Sequence, residues 1–298
     1  MMTSIMDIYQ TNDQQPYHLR SHLNAWVEQY ASDFARAKPF PFVVIPNFFP
    51  DDVARSIGAS FPGIDRPVWD LNGPGDVKHS GDKNIEKVSC SFEEYFPPII
   101  RSAIHGLNSG IFIRFLEELT GFKNLNPDPY FFGGGLHSTG KGGRLMIHAD
   151  ASRHPNPKLE QVINMIYYAT PEWDETWGGH LELWDRDCRQ CVQRIAPAFN
   201  SAVIFYTGTN CYHGHPQPLA TPPGVRRNSI ALYYYTTDRV HDESYVGYRN
   251  YVDWKHVTEH DHNRSAVHFA KGLIRKYAPA AATNATAKMY RTIRDRLR

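Results

Sequence analysis

Between His22 and Lys38, the apolar residues Leu23, Trp26, Val27, Tyr30 and Phe34 recur every three or four positions. That period predicts a helix with one buried stripe. The run PFPFVVIPNFFP after it reads as a buried strand bounded by prolines. Asp51 or Asp52 is then placed to cap a second helix carrying Val53, Ile57 and Phe61 inward. From Gly63 to about Ser91 the chain is polar and aperiodic, which suits a functional loop or lid containing Trp69 and Asn72. Pro98 opens a long helix in which Ile100, Ile104, Leu107, Ile111, Phe115 and Leu119 face one way.

Beyond Asn124 the pattern changes to short alternating or apolar runs separated by Gly, Pro and Asn. They fall around Tyr130, Leu145, Val162 to Tyr168, His180 to Trp184, Ser201 to Tyr206 and Ser229 to Thr236. Strands of that length and spacing build a sandwich or jelly roll. After Val246 the chain reads as helical again and ends in a basic amphipathic helix, KMYRTIRDRLR, packed on the domain with its charges in water. The expected fold is mainly β with flanking α-helices around a double-stranded β-helix (cupin-like jelly-roll) core. It forms a single domain over 1–298, with a helical flank at 1–123, the core at about 124–245 and a second flank at 246–298.

Composition narrows the function only by exclusion. Lysine and arginine total 32 against 31 acidic residues, a net charge of +1, so no global field draws the chain to nucleic acid or an anionic membrane. The polar N-terminus lacks a basic start and an apolar run, and no stretch reaches membrane-spanning length; a soluble, cytoplasmic protein is expected. Four cysteines in 298 residues make no disulfide scaffold. The lone CxxC of Cys188 and Cys191 lacks a second pair at zinc-site spacing, and Cys211 reads as a packed small side chain.

The chemistry centres on GGRLMIHADASRHP. His148 and Asp150 are two apart near a strand end, so an imidazole and a carboxylate project to one face. Alone, H-x-D is a weak signal. A third ligand from FYTGTNCYHGHP, either His213 or His215, completes two nitrogens and one oxygen on one face of a metal. Three positions then remain open, as ferrous iron needs for a bidentate cofactor and oxygen. On the strand NSIALYYYT, Arg227, Ser229, Ala231 and Tyr233 share a face opposite Ile230, Leu232 and Tyr234. The small residues leave space, so Arg227 faces a cavity in which its guanidinium grips a carboxylate through paired hydrogen bonds. In VINMIYYAT, Asn164, Ile166 and Tyr168 share a face by the same rule, and the Tyr168 hydroxyl reaches that carboxylate.

From about Leu136 to Thr237 the chain resembles the catalytic region of prolyl-4-hydroxylase-type 2-oxoglutarate/Fe(II) oxygenases. HAD, the YY-containing strand, WGGHLELW, the AP-FN-VIFY run, HGHP and the R-S-ALYYYT ending carry the resemblance. It implies iron held by His148, Asp150 and His213 rather than His215, and 2-oxoglutarate held by Arg227 with Tyr168. Oxygen would serve as cosubstrate, with ascorbate an optional reductant. The resemblance further implies release of succinate and CO2, and Asp150 favours hydroxylation over halogenation, since halogenating relatives carry a small residue there.

The substrate expected is a small-molecule metabolite, with Arg144, Arg153, His137 and Trp177 as its candidate contacts and His154 flanking the ligand strand. No nucleic-acid or membrane partner is expected, and the oligomeric state is left open, a homodimer being one option. The alternatives are a peptidyl or prolyl hydroxylase acting on a protein, and a cupin-type metal isomerase or sensor, which would need no arginine for a dicarboxylate.

Overall fold

In the computed structural model, residues 20–69, 84–154, 159–237 and 252–255 are described. The chain divides into two compact units, residues 1–255 and 256–298. The second, including the expected basic terminal helix, lies outside the described residues, as does Asn72.

Three strands set the architecture. In β5 (Glu160–Tyr168), β8 (Ser201–Tyr206) and β10 (Arg227–Thr236), alternate side chains belong to two different cores. Ile163, Met165, Tyr167, Ala202, Ile204, Ile230, Leu232 and Tyr234 pack against the helices, whereas Ile166, Tyr168, Val203 and Phe205 face the barrel interior. Strand period alone produces this division: a sheet buried on both faces needs apolar residues at both phases, and these strands have them. The antiparallel registers stack the interior residues in layers. Tyr168 lies opposite Ser229 and Ser201, Ile166 opposite Ala231 and Val203, and Asn164 opposite Tyr233 and Phe205.

The remaining strands are β1 (Phe42–Ile45), β2 (Asn84–Cys90), β3 (Leu125–Pro127), β4 (Gly135–Ala149), β6 (Leu181–Trp184), β7 (Cys191–Ile195), β9 (His213–His215) and β11 (Asp253–Trp254). The main path runs β1-β8-β5-β10-β4-β9-β6-β7, with β2 and β11 added on β4 and β3 on β10. All pairings are antiparallel. The sheet curls into the half-barrel core of a double-stranded β-helix. The long β4 joins its two halves, pairing with β10 through residues 135–139 and with β9 through Leu145 and His148.

Helices α1 (Arg20–Arg36), α2 (Asp51–Ala59), α3 (Pro98–Leu107) and α4 (Gly110–Thr120) cover the outer face. Phe48 is 1% exposed among Trp26, Phe49, Phe112 and Tyr167. Truncating it to alanine would cost about 3–5 kcal/mol.

Several expectations are corrected. The single helix from Pro98 is two, because Ser109 leaves helical geometry and accepts a hydrogen bond from the Phe112 N–H as the N-cap of α4. Ile111 consequently turns outward, 39% exposed. Asp51 does not cap α2; Pro50 holds that position, and Asp51 pairs with Arg55 one turn on. Part of the expected lid is the strand β2. Trp69 is not a lid residue: it is 2% exposed and donates its indole N–H to the Gly63 carbonyl. Tyr130 lies in a turn, 54% exposed, because Asp128 draws the backbone N–H groups of residues 130 and 132 around its carboxylate. Within the expected helical C-terminal flank, Asp253 and Trp254 form a strand on β4 instead.

Candidate active site

His148, near the end of β4, and His213, at the start of β9, are register partners across the two strands. Asp150 follows β4 directly. One ligand atom from each of the three lies within 4.8 Å of the others, and all three residues are buried. Each histidine is oriented by its own backbone neighbourhood. His148 Nδ1–H donates to the Met146 carbonyl at 2.8 Å, and His213 Nδ1–H to that of Cys211 at 3.0 Å. These bonds fix the tautomer and leave the Nε2 lone pairs facing inward. His148 Nε2 lies 3.5 Å from Asp150 Oδ1, and His213 Nε2 lies 3.8 Å from Oδ2.

The Asp150 carboxylate is held from the far side. Gln161 Nε2 and Asn164 Nδ2 each donate to Oδ2 at 3.1 Å, and the Tyr235 hydroxyl donates to Gln161 Oε1 at 3.2 Å. Oδ2 is thereby occupied and Oδ1 left for a cation. Burial acts to raise the Asp150 pKa, but His213, His148 and the Asn164 amide outweigh it and bring the carboxyl down to about 2. Burial holds His213 at about 4, so both residues are in ligand-competent form near neutrality. On the outer side, the Trp254 ring of β11 packs over His148 with centroids 4.7 Å apart, and the Tyr212 hydroxyl donates to Asp253 at 3.0 Å. Gly214 lets β9 lie this close, since a Cβ there would meet the Leu145 and Met146 carbonyl oxygens at 2.8 Å.

Arg227 enters the same interior from β10 and is 6% exposed. Its Nε–H donates to the Gly179 carbonyl at 2.8 Å, and an Nη2–H donates to the Tyr168 hydroxyl at 3.1 Å. Since the Tyr168 oxygen is the acceptor, its own proton remains available. Burial lowers the Arg227 pKa and raises that of Tyr168. Among the described residues no carboxylate pairs with Arg227. A buried cation without a counter-ion is costly, so the position suits an anionic ligand. Gly179 has φ +71°, and a Cβ there would come within 3.0 Å of Arg227 Cδ. Neighbouring Arg226 points elsewhere and braces Ser138 and the Glu86 carbonyl.

The other expected contacts scatter. His137 is half-buried opposite Ser229 and Ser89 in the interior, and burial with Lys87 lowers its pKa well below the ordinary value. The Arg153 backbone forms an isolated antiparallel β-bridge with that of Glu160 just past Asp150, and Arg144 lies on β4 opposite Ile85. Trp177 packs edge-on against Trp173, two residues before Gly179. His154 is buried beside Asp128, Tyr130 and Phe132. His215 lies outside the three-residue cluster. Cys188 and Cys191 are free thiols, and Cys211 Sγ accepts from the Gly208 N–H. Sequence reasoning missed Gln161, Tyr235, Gly179 and Trp254. Asn164 left a signal as an amide at an interior position of an otherwise apolar strand.

A family model described as "2OG-Fe(II) oxygenase superfamily" matches residues 134–235. No curated protein matches the chain. Similar solved structures include a prolyl hydroxylase from Trichoplax adhaerens in complex with a hypoxia inducible factor peptide, at 18% identity and TM-score 0.48, covering 78% of this chain and 94% of that one. A viral collagen prolyl hydroxylase from Paramecium bursaria Chlorella virus-1, in a 2-oxoglutarate complex, is 12% identical with TM-score 0.43, covering 65% and 96%. HygX from Streptomyces hygroscopicus, with nickel, 2-oxoglutarate and hygromycin B bound, is 12% identical with TM-score 0.45, covering 80% and 98%.

The small-molecule partner expected from the sequence is not carried forward: the first two are described with or named for a polypeptide, a hypoxia inducible factor peptide and collagen, and HygX is described with hygromycin B. No helix among the described residues is long and apolar enough to cross a membrane. The curled double-stranded β-helix, the two-histidine, one-carboxylate metal site and the match over residues 134–235 support an enzyme of Fe(II)/2-oxoglutarate-dependent oxidation.

Proposed function

We propose that His148, Asp150 and His213 hold ferrous iron, that Arg227 and Tyr168 hold the distal carboxylate of 2-oxoglutarate, and that the enzyme hydroxylates a residue of a polypeptide. The observation that carries the cofactor assignment is Arg227 itself: a buried guanidinium without a carboxylate partner among the described residues, in the same barrel interior as a triad whose lone pairs converge. A cupin-type isomerase or sensor would have no use for that cation.

When bound, iron and 2-oxoglutarate supply the oxidising chemistry: O2, 2-oxoglutarate and a substrate C–H become succinate, CO2 and a C–OH. This chain's residues position and protect. Gln161 and Asn164 keep Asp150 from swinging, the Met146 and Cys211 carbonyls keep the imidazoles in one tautomer, and Tyr168 donates alongside Arg227. The apolar interior of Val203, Phe205 and Ile166 excludes water around them.

For the substrate, support comes from the aromatic surface near the triad. Tyr130 is over half exposed, fixed by Asp128 and packed at 5.7 Å against His154, four residues past Asp150. An anchored, exposed aromatic ring of this kind suits stacking on a peptide side chain. The test is succinate release in air, with Fe(II) and 2-oxoglutarate, across proline-containing peptides and, in parallel, metabolites and aminoglycosides, with products read by mass spectrometry. A peptide gaining one oxygen atom in step with succinate is expected. Stoichiometric oxidation of a small molecule, with every peptide inert, would contradict the substrate assignment.

A further inference from the structure

We infer that His215 contacts 2-oxoglutarate, donating an imidazole N–H to one of its carboxylates. This rests on the reading of Arg227 as the cofactor anchor. His215 is 3% exposed, and among the described residues neither of its ring nitrogens has a hydrogen-bond partner. Buried polar groups are almost always satisfied, so an imidazole with both nitrogens idle marks a place where a ligand or water completes the set.

Its position says which ligand. His215 is two residues beyond His213 on β9, and side chains two apart on a strand share a face, so it lines the same chamber as the triad. Gly214, between them, is turned toward the β4 backbone, where a side chain has no room. The charged groups that bear most on His215 are Arg227, Lys87, His148 and His137, drawn from β10, β2 and β4. His215 therefore lies within electrostatic reach of both ends of the proposed cofactor site, His148 at the metal and Arg227 at the distal carboxylate. Arg227 and Lys87 offer hydrogen-bond donors only and cannot accept from the imidazole. A dicarboxylate running between the metal and Arg227 brings the missing acceptor. His215 is outside the metal-ligand cluster, which leaves its nitrogens free for that contact.

The test compares wild type, His215→Leu, His215→Asn and Arg227→Ala, each loaded with Fe(II) without oxygen. Metal affinity is measured first, then 2-oxoglutarate affinity from the visible charge-transfer band of the ternary complex. His215→Leu should bind metal as wild type does and bind 2-oxoglutarate about 10- to 100-fold more weakly, the effect of one hydrogen bond to a charged group. His215→Asn, which keeps a donor, should recover part of the loss, and it is the informative variant if His215→Leu does not fold. Unchanged 2-oxoglutarate affinity in both variants would mean the imidazole meets only water and would overturn the inference. Loss of metal binding together with cofactor binding would also overturn it, making His215 part of the iron site. If Arg227→Ala alone weakens the cofactor, the inference falls and the anchor reading stands. If wild type itself binds none, the anchor reading falls first.

Discussion

Replacing Asn164 by leucine isolates the device that aims Asp150 at the metal. The two side chains share a branched skeleton of four heavy atoms, and Asn164 contributes one of the two amide donors on Oδ2, at 3.1 Å, while its own Oδ1 has no partner among the described residues. The change therefore removes one charge-assisted hydrogen bond and strands no second polar group. Such a bond is worth about 1.5–3 kcal/mol when its acceptor is ionised. Gln161 still holds Oδ2, so the carboxylate stays bound but is free to pivot. The bond's worth corresponds to roughly 10- to 100-fold in metal affinity, the range typical when a residue that orients a metal ligand is lost. The assay is anaerobic titration with Fe(II), repeated with Co(II), whose absorption reports the ligand field, alongside thermal unfolding of the metal-free protein. The expected result is weaker metal binding with the unfolding midpoint nearly kept. Wild-type affinity for both metals would refute the claim that these amides aim the carboxylate.

Other perturbations reach the site by separate routes. Gly179→Ala places a Cβ within 3.0 Å of Arg227 Cδ and 2.7 Å of Leu219 at a positive φ; it should raise the KM for 2-oxoglutarate while sparing metal affinity, and an unchanged KM would show that Arg227 does not depend on this close approach. Gly214→Ala should instead push β9 off β4 and weaken metal binding together with thermal stability, checked by the same titration and by calorimetry. The pH dependence of the metal-free protein has a definite sign. Burial holds His213 at about 4, whereas the unfolded imidazole titrates at its ordinary 6.5. Between those values the unfolded chain binds more protons, so stability rises with pH there, by at most roughly 3 kcal/mol. Asp150, held at about 2, adds stability that is present above its ordinary 3.8 and lost as pH falls toward 2. Urea midpoints across both windows should show the slopes, and His213→Gln should flatten the upper one; an unaltered upper slope would disprove its origin.

The interior faces of β5, β8 and β10 were legible because a period of two cannot be disguised: Arg227 opposite Ile230 and Leu232, and Asn164 with Tyr168, fall where alternation puts them. His148 and Asp150 were legible through their two-residue spacing at the end of β4, whereas His213 was preferred to His215 only through the family resemblance; no local pattern shows that β9 lies against β4 with His213 opposite His148. Local rules failed where tertiary contacts decide. The break at Ser109 interrupts an apolar stripe that would have continued through Ile111. Asn84–Cys90 is polar yet becomes a strand because β4 offers it an edge. Gln161, Tyr235 and Trp254 act through partners distant in sequence, so no motif announces them. The substrate was not legible, because nothing in the iron or cofactor residues encodes what is oxidised.

The most direct test of the account is a crystal structure grown without oxygen from protein loaded with Mn(II), a redox-inert stand-in for iron, and 2-oxoglutarate. The metal is expected on His148 Nε2, Asp150 Oδ1 and His213 Nε2, with the distal carboxylate on Arg227 and Tyr168. A metal bound elsewhere, or a 2-oxoglutarate that leaves Arg227 without its carboxylate, would contradict this assignment.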